Sequence, residues 1–188
     1  MNDMSGSHAF DTATALSLGT PEPNSGAAIG CVVSIAGSSS RVLFDRVSLG
    51  RIAQHADPVV GAAGQVGGQI KMRVGSAWLV ANIRSLALEN IDGEWVAADI
   101  DFLGEGDEER LTGKLYHFRR GVTRYPIPGC EVFPVTTADL KQIYSAEDRP
   151  HIAVGTVYPT RDVRAALYVD AMLGKHFALV GSTGTGKS

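Results

Sequence analysis

Several common signals are missing from this sequence. No basic stretch followed by an apolar core opens it, so no secretory leader is expected. No apolar run is long enough to cross a bilayer; the longest candidate, Ala165 to Val180, is broken by Asp170, Lys175 and His176. Cysteine is scarce. Cys31 and Cys130 make neither a disulfide framework nor a metal-ligand pattern, so both read as buried reduced thiols. There is no surplus of positive charge. The net charge of −3 gives no general signal for binding a polyanion, so any nucleic-acid contact is expected to be local. Helical periodicity is scarce before residue 136. These absences point to a cytoplasmic protein of mainly β character.

What is present is an ordinary globular balance, 44% apolar and 20% charged, over a length that allows one domain and the beginning of another. Residues 1–26 are rich in Ser, Thr, Gly, Asn and Pro and read as a disordered tail, with His8 a solvated residue. From residue 27 to 145 the pattern is that of a small antiparallel β-barrel. Ala28 to Ala36 and Arg41 to Asp45 form one hairpin around Gly37-Ser-Ser-Ser40. Gln69 to Val74 and Ala77 to Arg84 form another around Gly75-Ser76. In the first of these strands Ile70, Met72 and Val74 alternate with Gln69, Lys71 and Arg73, which predicts one buried face and one wet face. Glu94 to Leu103 and Cys130 to Val135 supply further strands, and Trp78 and Trp95 are expected to pack on the barrel. Thr136 to Ala146 is the clearest helix, with Thr136 and Asp139 spaced as a capping box. Residues 146–188 read as a second unit: a strand at His151–Val157, a turn at Pro159–Asp162, a strand at Ala165–Val169, and a short connection at Asp170–Gly174.

That second unit runs into the most informative stretch, Gly181-Ser-Thr-Gly-Thr-Gly-Lys-Ser188. It matches the phosphate-binding pattern Gly-x-x-x-x-Gly-Lys-[Ser/Thr] at every fixed position. A triphosphate is a dense anion that needs several converging donors, and glycines let successive backbone N–H groups point into one concavity. The residues Gly181, Ser182, Thr183, Gly184, Thr185, Gly186, Lys187 and Ser188 are therefore the expected cradle for ATP. Lys187 would reach the β- and γ-phosphates, and the Ser188 hydroxyl would bind Mg²⁺. His176-Phe-Ala-Leu-Val180 reads as the buried strand that the motif requires in front of it. The groups that complete hydrolysis, a second acidic motif and an arginine finger, would lie beyond residue 188, so the chain alone is expected to be inactive.

Other polar features read more simply. Gly61-Ala-Ala-Gly-Gln-Val-Gly-Gly68 has no lysine and reads as a barrel corner or loop. Glu105, Asp107, Glu108 and Glu109, beside Gly104 and Gly106, read as a solvated charge run in a loop rather than an acid–base pair. Arg119, Arg120 and Arg124, near Tyr116, His117, Phe118 and Tyr125, form a basic patch that could meet an acidic loop in an oligomer or a nucleic-acid backbone.

A small barrel ahead of a phosphate loop at this depth resembles the HerA-like ATPases of the HerA–FtsK group. The resemblance is carried by the barrel-like strands, Leu103-Gly-Glu105, Arg120-Gly-Val-Thr-Arg-Tyr-Pro-Ile-Pro-Gly129 and Gly174 to Ser188. It implies a HAS-barrel-like domain followed by the first strand and loop of a RecA-like α/β ATPase domain, cut at the loop. It also implies a homo-oligomeric, hexameric ring that moves double-stranded DNA, with the barrel serving assembly or the docking of a nuclease partner. Without a membrane-spanning apolar run, no membrane association is expected. Two other readings keep the barrel but change its use: a non-catalytic oligomerisation and docking module, or a rotary-type ATPase subunit.

Overall fold

A computed structural model describes residues 26–36, 39–89, 93–146 and 149–174. The expected tail at 1–26, except Gly26, and the phosphate loop lie outside these residues. The first hairpin forms as the sequence suggests, with β1 at Gly30–Ala36 and β2 at Ser39–Asp45. Two short helices follow, α1 at Arg46–Ile52 and α2 at Pro58–Ala62. The sequence reading assigns neither of them, and α2 takes in the start of the glycine-dense segment read as a loop. Both have a local cause. The Asp45 carboxylate accepts from the N–H groups of Val47 and Ser48, at 3.3 and 2.8 Å. Asp57 accepts from Val59 N–H at 2.9 Å, ahead of a proline in the first turn. An acceptor at the cap satisfies amides that the helix itself cannot.

The second hairpin is β3 at Gln69–Val74 and β4 at Ala77–Leu88, turning at Gly75, whose φ is 61°. Then come β5 at Trp95–Glu108, β6 at Leu115–Arg120, β7 at Glu131–Pro134 and α3 at Thr137–Tyr144. All pairings among these strands are antiparallel. The order β2-β1-β7-β3-β4-β5 closes because β5 also pairs with β2, giving a six-stranded barrel. The first half of β5 pairs with β2, from Trp95↔Asp45 to Ile100↔Ser40, and the second half pairs with β6, from Gly104↔Arg120 to Glu108↔Leu115. One long strand thus closes the barrel at one end and carries a flap at the other.

The barrel interior holds Ile29, Val32, Val42, Phe44, Ile70, Met72, Leu79, Ala81, Ile83, Ala98, Ile100 and Val132. Their alternation along each strand is the period-two pattern that a half-wet strand needs. β4 departs from it. Its other face, Trp78 and Val80, is buried too, in an outer cluster with Val59, Leu115, Val135, Leu140 and Val163. That outer layer overturns part of the expected pattern in β3. Lys71, predicted to be wet, is only 4% exposed because α3 and Trp78 cover it. The two tryptophans differ: Trp78 is buried, whereas Trp95 is 39% exposed at the barrel rim and is no core residue.

After α3 a separate two-stranded sheet forms from β8 at His151–Thr156 and β9 at Arg164–Tyr168. The stretch Asp170–Gly174, read as a short connection, is largely taken up by a short helix, α4 at Val169–Leu173.

Candidate functional site

The expected nucleotide cradle, Gly181, Ser182, Thr183, Gly184, Thr185, Gly186, Lys187 and Ser188, lies outside the described residues, as does the strand at 176–180. What is described is the platform that leads to it. In the β8–β9 hairpin His151 pairs with Tyr168 and Ile152 with Leu167. Its strands are open to solvent: Ile152, Val154 and Leu167 are 44%, 56% and 45% exposed. Its turn end is not. Val163 and Thr160 are buried, and Val157 and Val163 enter the outer cluster around Trp78. The open end is stapled. Val169 N–H donates to the Pro150 carbonyl at 2.9 Å. The Arg149 guanidinium reaches Asp170 Oδ2 at 2.8 Å and lies over the Tyr168 ring, 4.2 Å from its centroid. This hydrogen bond holds the Asp170 carboxyl below its usual range.

The acidic run is placed differently from its reading as a loop. Glu105, Asp107 and Glu108 lie within β5, and Glu109 follows it. The glycines act as strand spacers. A Cβ on Gly104 would run into the Arg119 carbonyl oxygen and the Phe118 ring, and one on Gly106 would meet Leu115 at 2.6 Å. Bare positions here let β6 lie close and seal Glu105, which is fully buried. Its carboxylate accepts from Arg119 Nη2 at 2.5 Å, Thr123 N–H at 3.0 Å and Thr123 Oγ1 at 2.8 Å. The Thr123 amide, with help from Arg119 and the Thr123 hydroxyl, outweighs burial and holds the carboxyl down at about 2. A carboxylate saturated in this way is a structural acceptor, not a general acid. The other three acids diverge: Glu108 pairs with Arg73 at 2.7 Å, Asp107 faces His117 Nδ1 at 3.9 Å, and Glu109 is exposed.

The basic patch is divided in the same way. Arg119 is committed to Glu105 within its own chain, which corrects its reading as a free oligomer contact. Arg120 and Arg124 are exposed and make no ion pair among the described residues. Tyr125 packs edge-on against Phe102, with ring centroids 5.7 Å apart. Both cysteines are free but only partly buried, less than their reading as buried thiols expects, and burial raises both thiols. No three His, Cys, Asp or Glu side chains among the described residues are grouped to hold a metal ion. Sequence reasoning missed Lys71 and Asp139, which form a buried ion pair at 2.8 Å. The capping box made Asp139 visible, but nothing local marked Lys71 as its partner.

Two comparisons bear on this arrangement. Residues 152–188 match the family model for the central domain of the helicase HerA. The chain is also 31% identical over 119 residues to the DNA double-strand break repair helicase HerA of Pyrococcus furiosus, a match covering 59% of this chain and 20% of that protein. The chain therefore spans about a fifth of the length of this curated relative. The aligned stretch is longer than the whole of 152–188, so the similarity also reaches upstream of the central-domain match. A closed barrel, a hairpin, and a central-domain match that starts within that hairpin stand in one order, and by these matches the chain is similar to HerA helicases across the hairpin and part of what precedes it.

Proposed function

We propose that the chain is the N-terminal part of a hexameric, ATP-driven DNA translocase or helicase of the cytoplasm. In this reading the barrel serves assembly and the docking of a nuclease partner, and Gly181 to Ser188 binds ATP with Mg²⁺. The observation that carries the reading is the central-domain match at 152–188, which ends on a complete phosphate-binding pattern. The donor set fits the ligand: a run of glycines to expose amides, one ammonium at Lys187 and one hydroxyl at Ser188. Lys187 neutralises charge that shifts during transfer, so its loss costs hydrolysis more than binding. The test is a Lys187→Ala substitution in the full-length parent protein. Nucleotide affinity should fall, and DNA-stimulated hydrolysis should fall further, by about a hundredfold or more. Wild-type turnover in that variant would refute the nucleotide-loop reading.

A further inference from the structure

α3 stands between two bodies. Its Leu140 shares one apolar cluster with Trp78, Val80 and Leu115 of the barrel wall and flap and with Val163 and Val157 at the hairpin end, and the helix neighbours both β6 and β9. At eight residues α3 is too short to hold itself in water, so its seat must come from outside. That seat is built of directional bonds. Lys71 Nζ donates to Asp139 Oδ2 at 2.8 Å, with the two side chains only 5% and 4% exposed. The same Nζ lies 4.7 Å from the Trp78 ring centroid. Asp139 Oδ2 also accepts from the Thr136 N–H and hydroxyl, at 2.9 and 2.8 Å. One residue on, the Thr137 N–H and hydroxyl donate to Asp57 at 2.8 and 2.7 Å. At the far end Gln69 Nε2 donates to Tyr144 Oη at 2.8 Å. The helix is thus tied at both ends to β3, and at its start to α2 as well.

An apolar contact would hold α3 nearly as well but would let it roll or slide. A buried charge pair tolerates one geometry and is costly in any other. We propose that α3 is a pinned joint, with Lys71–Asp139 as the pin, that holds the β8–β9 hairpin in one orientation on the barrel. The phosphate-loop reading enters only in what the joint serves; the joint itself is tested without nucleotide.

The experiment is hydrogen–deuterium exchange by mass spectrometry on the 188-residue chain, comparing wild type with Lys71→Met and Thr137→Val. In Lys71→Met, amides of α3 and of residues 151–168 should exchange about tenfold faster or more, while those of β1, β2 and β5 stay within about twofold of wild type. Thr137→Val removes one hydroxyl donor and should give a smaller acceleration in the same segments. If α3 accelerates and the hairpin does not, α3 does not carry the hairpin and the proposal fails. Uniform acceleration in Lys71→Met would leave the decision to Thr137→Val. Acceleration confined to α3 and the hairpin in that variant supports the joint, and a uniform change or none overturns it.

Discussion

Glu105 shows how far a residue's role depends on its surroundings. Next to two glycines and three more acids, it has the local sequence of a wet loop. In the fold it is sealed and holds the segment after β6 by its bonds to Thr123. Removing its charge leaves Arg119 without its buried partner, so Glu105→Gln should cost about 2 kcal/mol of stability, read from the urea midpoint. The pH dependence has a definite sign. The folded-state carboxyl lies at about 2, below its ordinary 4.5, so its contribution is complete above pH 4.5 and is lost as pH falls toward 2. Wild type should therefore lose stability across that window more steeply than Glu105→Gln, which lacks this titration. Equal acid sensitivity in the two proteins would remove Glu105 from the account. The reading from sequence failed here because glycine has two uses. It breaks strands, and it also clears room for a neighbouring backbone, and only the pairing of β5 with β6 shows which applies.

At the scale of elements, legibility follows the distance over which the cause acts. The capping box of α3 was readable because its cause and its effect lie three residues apart. The hairpins of β1 with β2 and β3 with β4 were readable for the same reason. α1 and α2 were missed although their signals are as local. Asp45 precedes a run with no helical stripe, and Asp57-Pro58 opens a helix of five residues, too short to show a period. Cap removal tests the assignment. Asp45→Ala should cost about 1 kcal/mol, measured by thermal or urea unfolding, because Val47 and Ser48 N–H groups lose their acceptor. Lys71 belongs to the opposite case. Its partner lies 68 residues away, and a strand's alternation says nothing about a helix that later covers its outer face.

For the whole molecule, the closed barrel predicts a far-UV circular dichroism spectrum dominated by β structure, and a mainly helical spectrum would contradict it.

The ring of strands also carries a consequence for how the protein is made. β1 and β3 are bridged by β7, the last barrel strand in the sequence. During synthesis the first five barrel strands emerge before the one that joins their two open sides. Until Pro134 clears the ribosome tunnel, β1 and β3 each present a row of unpaired amides and carbonyls, which is the template for pairing with another chain. A nascent chain stalled before residue 131 should bind a chaperone or aggregate, whereas one stalled with β7 and α3 outside the tunnel should resist protease. The time between the emergence of β5 and that of β7 is then the interval over which the nascent protein is open to such pairing.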